Sequence, residues 1–565
     1  MKKINLLFPI LLLFSITVLP AQDRLSGKTF ATRSEVLARN GMAATNHPLA
    51  TQIAVDVLQR GGSAVDAAIA ANAFLGFADP AMNGIGGDLF AIIWNAEEKK
   101  LYGLNTSGKS PMTLTRDYFS SRGMNRIPAA GPLPVTVPGC VDGWFEMHGK
   151  FGKLPFGELL EPTINYAREG IPVAQEVADM MAYLERDLLL SYALDGEISF
   201  ADFPEFEAVF RKSGRFPEKG EIYANPALAH TLEMIAGGGR EAFYEGPIAK
   251  TIAEHMEETG GFLTEKDFAE HRSEWIEPVS TNYRGYEVWE LPPNGQGISV
   301  LQMLNILEGY DLASYGFGSP EHIHYFTEAK KLAYADRAKY YGDPALSDIP
   351  VDKLISKEYA KQRRQQISDS RAGAYGPGLE DGNHTIYLTV ADKDGNMVSL
   401  IQSNSWLFGS LVVPPGLGFA LQNRGTGFTL EADHVNTYAP GKRPFHTIIP
   451  AFITREGEPY VSFGLTGGGM QPQGHVQIVM NIVDFGMNLQ EAGDAPRIRH
   501  EYLNGADIVR LESGFDYETI RKLMTMGHTI AFGFERFGGY QAIGVQGDVY
   551  IGASESRKDG QAAGY

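Results

Sequence analysis

The chain has 565 residues, of which 44% are hydrophobic and 21% are charged, and its net charge is −19. These proportions agree with a globular protein, and the acidic balance argues against nucleic acid as a partner. The single cysteine, Cys140, excludes an intramolecular disulfide, and we expect its side chain to pack in the core. No linker rich in Ser, Pro or charge divides the sequence, which favours one large body of helices and sheets.

The first predicted element is a leader over residues 1–21. Lys2 and Lys3 precede an apolar run from Ile4 to Leu19, and Ala21 offers a small residue for cleavage. The run is short and terminal, so we interpret it as a secretory signal peptide, with an uncleaved anchor as the alternative. No other stretch is apolar enough to cross a bilayer. We therefore expect a periplasmic or secreted protein with no membrane attachment after leader removal.

Two helices are predicted next. The pattern over 51–60 is amphipathic and ends at Gly61, and Ser63 with Asp66 forms a capping box for a second, very apolar helix that runs to about Phe77. Such a helix should be buried between layers, and Asp66 is interpreted as a cap instead of a catalytic acid. Further along the chain, the pattern predicts a buried strand over 89–94, a long helix over 322–341 and a strand over 460–465.

A β-hairpin is predicted near residue 390. Residues 385–391 and 397–403 are rich in β-branched and aromatic side chains, and the five residues between them favour a turn. With a five-residue loop, Ala391 lies opposite Met397. The same register places Thr385 opposite Ser403, with the two side chains on one face of the sheet within about 5 Å of each other.

Thr385 admits two interpretations. It can be an ordinary strand residue, or it can be a latent nucleophile that the chain releases as a new N-terminus by cutting the bond between His384 and Thr385. An N-terminal threonine carries its own base, because an α-amine titrates near pH 8 and lies beside the hydroxyl. The residues around position 385 leave both interpretations open.

A glycine-rich turn follows the strand over 460–465. Gly467, Gly468 and Gly469 can expose successive backbone N–H groups, because glycine adopts the required dihedral angles without a side-chain clash. Such donors stabilise the oxyanion of acyl transfer, although the same pattern also fits a plain tight turn. The pair Gly86–Gly87 is equally well explained by close packing of a helix on a sheet.

Many separate motifs, in order, resemble the γ-glutamyltranspeptidase family of N-terminal-nucleophile hydrolases. They are Gly61–Ala68, Asn83–Gly87, Leu291–Gly297, Ala333–Arg337 with Gly342–Pro344, the Thr385 hairpin, Gly441–Pro444, Gly467–Gly469, Gly552–Arg557 and the terminal Ala563–Tyr565. The resemblance implies an α+β fold, a four-layer αββα sandwich in which two central antiparallel sheets lie between helices.

The resemblance also implies a precursor that cuts itself between His384 and Thr385. A large subunit, 22–384, and a small subunit, 385–565, then share one core. Thr385 matches the nucleophile and supplies its α-amine as base, and Ser403 matches the hydroxyl that holds the nucleophile in place. Gly467 and Gly468 match the oxyanion pair, and either Asn404 or Ser405 matches an amide that contacts substrate.

The positions that recognise substrate depart from the family pattern. Ser107 stands where an Arg usually binds the α-carboxylate of a γ-glutamyl group, and Gly427 stands where an Asp binds its α-ammonium. His446 and Thr447 replace a pair of serines. Serine cannot reproduce the bidentate contact of an arginine, so recognition of a free amino-acid head is in question.

Three cations are candidates to replace the missing arginine: Lys109, Arg424 and Arg443. No cofactor is expected. No metal is expected either, because the 13 histidines contain no HExxH or comparable cluster.

The sequence therefore predicts a γ-glutamyltranspeptidase or glutathione hydrolase that passes the acyl group of a γ-glutamyl amide through Thr385 to water or an acceptor amine. One alternative is a divergent acylase or amidohydrolase of the same fold that acts on amides without a γ-glutamyl group. A second alternative is a non-catalytic binding protein that retains the fold.

Overall fold

A computed structural model describes residues 27–188, 198–376, 384–503, 505–533 and 537–565. The predicted leader lies outside these residues. The strands are β1 Val36–Ala38, β2 Met42–Thr45, β3 Asp88–Asn95, β4 Lys100–Asn105, β5 Ile171–Pro172, β6 Ile222–Tyr223, β7 Glu274–Ile276, β8 Val279–Tyr283, β9 Tyr286–Glu290, β10 His384–Ala391, β11 Met397–Ser405, β12 Ala451–Arg455, β13 Glu458–Leu465, β14 Ile498–Leu503, β15 Ala506–Leu511, β16 Thr529–Phe532, β17 Tyr540–Gln546, β18 Val549–Ser554 and β19 Gln561–Gly564.

The α-helices of the described residues vary from single turns to 21 residues. They span Pro48–Gln59, Ala64–Ala78, Arg116–Ser120, Cys140–Phe151, Phe156–Glu169, Gln175–Tyr183, Pro204–Phe210, Pro226–Tyr244, Pro247–Glu258, Glu265–Ala269, Ile298–Leu307, Leu312–Tyr315, Pro320–Tyr340, Val351–Leu354, Lys357–Arg364, Met470–Val483, Leu489–Asp494 and Tyr517–Thr525. None of the helices in the described ranges combines the length and the apolar character needed to cross a membrane.

Two seven-stranded sheets form the centre of the molecule. One has the order β19-β2-β10-β11-β3-β4-β7 and the other has the order β1-β18-β17-β13-β12-β9-β8. Their pairings are antiparallel throughout, for example β10 with β11 and β12 with β13. Each sheet combines strands from before and after residue 384, so the two predicted subunits share both sheets.

Alternate residues of β10 show how the layers are built. Ile386, Leu388 and Val390 pack in a core with the helices that cover the first sheet. Tyr387 and Ala391 point the other way, into a core that contains side chains from both sheets. A third core joins the second sheet to its own helices. Because both faces of each sheet are covered, the predicted αββα sandwich is confirmed.

The predicted local elements are largely confirmed. The helix Ala64–Ala78 begins with Ser63 as its N-cap, and the side chain of Asp66 accepts from the Ser63 backbone N–H to complete the capping box. The first helix begins three residues earlier than predicted, at Pro48. The cysteine is buried, as expected.

The predicted register of the hairpin is correct over most of its length and wrong at Thr385. Ala391 pairs with Met397 as predicted, and the same register continues to Ile386. There the ladder shifts, so that His384 lies opposite Ser405 and Thr385 lies within the irregularity. Thr385 is therefore not directly opposite Ser403, because a bulge adds a residue to one strand and redirects the chain.

Candidate active site

Thr385 is buried at the start of β10, with 1% of its surface exposed. Its hydroxyl oxygen Oγ1 accepts a hydrogen bond from Nε2 of Gln471 at 3.2 Å. The other end of this amide is also fixed, because Gln471 Oε1 accepts from the backbone N–H of Ile449 at 3.0 Å. The Gln471 amide is therefore oriented with a donor toward the Thr385 oxygen, a contact that the sequence analysis did not find.

The bond between His384 and Thr385 lies beside Ser403. The Ser403 hydroxyl donates to the carbonyl oxygen of His384, with 2.5 Å between the two oxygens. The same hydroxyl oxygen accepts from the Ser405 backbone N–H at 2.8 Å and from Arg424 Nη2 at 3.1 Å. Two donors therefore direct the Ser403 proton toward the carbonyl, although Ser403 is not the cross-strand partner of Thr385.

Two residues of the glycine turn have backbone dihedral angles that favour glycine. Gly467 and Gly468 have φ angles of +109° and +56°, which side-chain-bearing residues adopt only under strain. Within the described residues, neither of their N–H groups donates a backbone hydrogen bond. The turn leads into the helix Met470–Val483, whose N-terminal end favours negative charge. Since Gln471 lies in the first turn of this helix and contacts Thr385, the glycine turn is beside Thr385.

Arg424 joins two of the predicted site residues. Its guanidinium donates to Ser403 Oγ through Nη2 and to Thr447 Oγ1 through Nη1, at 3.1 and 3.0 Å. The side chain is 1% exposed. A buried guanidinium is therefore held in contact with the hydroxyl that contacts the His384 carbonyl, and Thr447 is part of the same cluster.

His446 points toward a different partner. Its Nε2 lies 3.0 Å from Asp88 Oδ2, while its Nδ1 accepts from the backbone N–H of Ile448 at 3.3 Å. Burial, assisted by the nearby Arg424 charge, lowers the pKa of His446 to about 4. The ring is therefore neutral near pH 7 and donates its Nε2 proton to Asp88. Asp88 also accepts from the N–H groups of Gly108 and Gly139.

Ser107 and Gly427 provide no charge for an amino-acid head. The Ser107 hydroxyl is buried and donates to Asn105 Oδ1 at 2.7 Å, and it accepts from Asn294 Nδ2 at 3.1 Å. A Cβ atom on Gly427 would lie 2.7 Å from the carbonyl oxygen of Phe445. The backbone at Gly427 therefore leaves little room for the aspartate that the family pattern places there.

Of the three cations considered as replacements, Arg424 is the one that contacts Ser403. Lys109 is exposed. Arg443 is buried, but its Nη1 lies 2.6 Å from Glu274 and its Nε donates to the carbonyl of Ser107. A carboxylate partner already compensates the Arg443 charge, which makes it a structural cation.

Asn404 and Ser405 occupy the end of β11. Asn404 is buried, and its Oδ1 has no hydrogen-bond partner among the described residues. The Oδ1 atom lies 2.4 Å from where a Cβ on Gly87 would stand, so that glycine is required by close approach. Ser405 has a φ angle of +79° and lies opposite His384. The irregular end of the strand thus places both residues beside the bond between His384 and Thr385.

One group of potential metal ligands occurs among the described residues, namely His324, Glu328 and His528. Its members already bind one another and a lysine. His324 Nδ1 lies 2.8 Å from His528 Nε2, and Lys331 Nζ lies 2.5 Å from the Glu328 carboxylate. The Lys331 ammonium group therefore compensates the charge of the Glu328 carboxylate.

The layered fold and a buried threonine beside a glycine turn define the class of N-terminal-nucleophile hydrolases. The family model of gamma-glutamyltranspeptidase matches residues 50–565, and the chain belongs to this family. The glutathione hydrolase-like YwrD proenzyme of Bacillus subtilis (strain 168) is 38% identical over 540 residues, covering 94% of this chain and 99% of its own.

Two other relatives are acylases. The acylase ACY 1 proenzyme of Pseudomonas sp. (strain V22) is 34% identical, with 92% of each chain covered. The crystal structure of cephalosporin acylase from Bacillus halodurans superposes with a TM-score of 0.88 and 41% identity, covering 98% of this chain and 99% of that chain. The relatives thus include a protein named as glutathione hydrolase-like and proteins named as acylases.

Proposed function

We propose that the protein is an amidase that cuts its own chain before Thr385 and then uses that residue as an N-terminal nucleophile. The supporting observation is that three features lie close together: the Thr385 hydroxyl, the hydrogen bond from Ser403 to the His384 carbonyl, and the glycine turn. Cleavage would divide the mature chain into a large subunit, 22–384, and a small subunit, 385–565, after the leader is removed.

Maturation begins when Thr385 Oγ1 attacks the carbonyl carbon of His384. The peptide C–N bond breaks, the acyl group moves to the hydroxyl oxygen, and the nitrogen leaves as the Thr385 amine. Water then hydrolyses this ester to give the His384 carboxylate and a free N-terminal threonine. The Ser403 hydroxyl donates to the oxygen that becomes negative during the attack, which lowers the barrier.

Turnover repeats the same chemistry on an external amide. The Thr385 α-amine accepts the hydroxyl proton while Oγ1 attacks the substrate carbonyl. The N–H groups of Gly467 and Gly468 stabilise the oxyanion, and the amine of the substrate leaves with the transferred proton. Water, or an acceptor amine, then removes the acyl group from Thr385.

The preferred acyl group carries a terminal carboxylate and lacks an α-ammonium group. Arg424 is a buried cation in contact with Ser403 and is suited to bind a carboxylate. Ser107 and Gly427 offer no charged group to an amino-acid head. The two relatives named as acylases support an activity other than that of a glutathione hydrolase, whereas the glutathione hydrolase-like relative supports the γ-glutamyl substrate predicted from the family pattern.

A matched pair of chromogenic substrates separates these possibilities. Glutaryl-p-nitroanilide and γ-glutamyl-p-nitroanilide differ only in the α-ammonium group, so the ratio of their kcat/KM values measures its contribution. We expect the glutaryl compound to be the better substrate. A preference for the γ-glutamyl compound would instead support glutathione hydrolase or transferase activity.

Chain cleavage is measured on the same material. Intact mass and N-terminal sequencing of the purified protein should show a small chain that begins at Thr385. A fully intact chain that releases no amine from either anilide would contradict the proposal and favour the non-catalytic alternative.

A further inference from the structure

Two side chains outside the predicted site hold the carbonyl groups of the glycine turn. Gln296 Nε2 donates to the carbonyl oxygen of Gly468 at 2.9 Å. The Tyr334 hydroxyl donates to the carbonyl oxygen of Gly469. Both side chains are fully buried. They come from the segment before the helix Ile298–Leu307 and from the helix Pro320–Tyr340, neither of which carries a residue that the sequence analysis placed in the site.

Gln296 is fixed at both ends of its amide. Its Oε1 accepts from Arg337 Nη1, which directs the NH2 group toward its two acceptors. The second acceptor is the carbonyl oxygen of Thr447 at 2.6 Å, and the Thr447 side chain accepts from Arg424. Gln296 thereby connects the glycine turn to Thr447, whose side chain contacts Arg424. One side chain therefore supports both the turn and the residue that contacts the buried guanidinium.

Two cations lie close to the Tyr334 ring. Lys330 Nζ and the Arg337 guanidinium carbon each lie 3.9 Å from the centre of its ring. Positive charge near the ring is attracted to its π-electrons. These contacts help to fix the ring whose hydroxyl donates to Gly469.

These contacts restrict a turn of three glycines, whose backbone dihedral angles are otherwise the least restricted of any residue. Each carbonyl lies in one peptide plane with the N–H group of the following residue. The Gly468 oxygen therefore shares its plane with the Gly469 N–H, and this plane meets the plane that carries the Gly468 N–H at the Cα atom of Gly468. Holding the Gly468 and Gly469 oxygens fixes the last two peptide planes of the turn and so limits rotation of the planes before them, because glycine itself offers no steric barrier.

We propose that Tyr334 and Gln296 are positioning residues for acyl transfer, which keep the N–H groups of Gly467 and Gly468 directed at the oxyanion. This inference rests on the proposed function of the site. It predicts an effect on the transition state and not on substrate binding, because both side chains are buried and bond to the carbonyl groups of the turn. Their loss should therefore lower kcat and leave KM nearly unchanged.

The test compares Tyr334→Phe with Tyr341→Phe. Tyr341 is also buried, and its hydroxyl donates to Gln302 instead of the glycine turn. Each change removes one buried phenolic hydroxyl, so a similar loss of thermal stability is expected in both. We expect kcat on the preferred anilide to fall about 10-fold or more in Tyr334→Phe, while Tyr341→Phe stays within about twofold of the unchanged protein.

A second variant and a second readout keep the inference falsifiable. Gln296→Glu keeps an acceptor for Arg337 but removes both N–H donors, and it should also lower kcat. Hydrogen exchange of the amides in residues 466–471 should be faster in Tyr334→Phe than in Tyr341→Phe, whether or not the protein turns over an anilide. Equal exchange and equal kcat in these two variants would overturn the inference. Absence of turnover in the unchanged protein would overturn the proposed function alone.

Discussion

The Ser403 hydroxyl donates its hydrogen bond to the carbonyl oxygen of His384, the residue directly before the proposed nucleophile. This oxygen acquires negative charge when Thr385 attacks. Ser403→Ala should therefore slow chain cleavage by about 10² or more, the cost of removing one oxyanion donor, with a smaller effect on folding. The later turnover should also slow, because Ser403 matches the hydroxyl that holds the nucleophile in place. The rate of appearance of the small chain is the measurement. Ser403→Thr keeps a hydroxyl and should retain cleavage; an equal loss of folding and activity in Ser403→Ala would indicate a structural role.

Replacing Thr385 by Ala should give one folded, uncleaved chain. No hydroxyl remains to attack His384, while the lost methyl and hydroxyl groups leave the rest of β10 paired. Thr389→Ala is the matched control, since Thr389 is buried in the same strand and bonds to Ser462 across the two sheets. Electrophoresis should show two chains for Thr389→Ala and one for Thr385→Ala. A Thr385→Ala protein that still matures would contradict the assignment.

Arg424 is proposed to bind the carboxylate of the substrate, and comparing two acyl groups separates this role from its contact with Ser403. Arg424→Gln removes the charge and should slow turnover of both glutaryl and butyryl anilides, because Ser403 loses a donor in each case. Only the glutaryl compound carries a carboxylate, so its kcat/KM should fall by a further factor of about 10 to 100, as for loss of a charge-assisted contact. An equal loss on both substrates would exclude Arg424 as the carboxylate ligand.

Acid should destabilise the folded protein through buried neutral histidines. Burial lowers the pKa of His446 to about 4, from the ordinary histidine value of 6.5. The unfolded chain therefore binds more protons than the folded chain between these values, and stability falls as pH decreases from about 6.5 toward 4. At pH 5 this single group costs on the order of 2 kcal/mol relative to pH 7 or above.

The uncleaved Thr385→Ala chain allows this effect to be measured by equilibrium denaturation, because it unfolds as one polypeptide. The free energy of unfolding should decrease between pH 7 and pH 5. Adding His446→Gln should make that decrease smaller, since position 446 no longer binds a proton on unfolding. An unchanged pH dependence would show that His446 is protonated in the folded state as readily as in the unfolded one.

Local sequence was sufficient to predict the elements that present the site. The capping box at Ser63 and Asp66, the hairpin turn and the positive-φ glycines all depend on residues within a few positions of one another. The register at Thr385 was not predictable in this way, because the irregular end of β11 arises where Ser405 adopts a positive φ angle. Nothing in the pattern of alternating side chains indicates such a shift.

The supporting residues were missed for a different reason. Gln471 contacts Thr385 across 86 positions, and Gln296 contacts Gly468 across 172. A buried glutamine in a helix or loop has no periodic or spacing signal of its own. Its partner is chosen by the packing of distant elements, so only the folded structure identifies it.

The order of strands around β2 has a consequence for the two fragments that the proposed cut before Thr385 would produce. Thr45 pairs with Leu388 on one side and with Gln561 on the other, so a strand of the large fragment lies between two strands of the small one. Neither fragment carries a whole seven-stranded sheet. Refolding of the cut enzyme from denaturant would be a bimolecular reaction between incomplete pieces, and the working lifetime of the mature protein would be set by how slowly it unfolds.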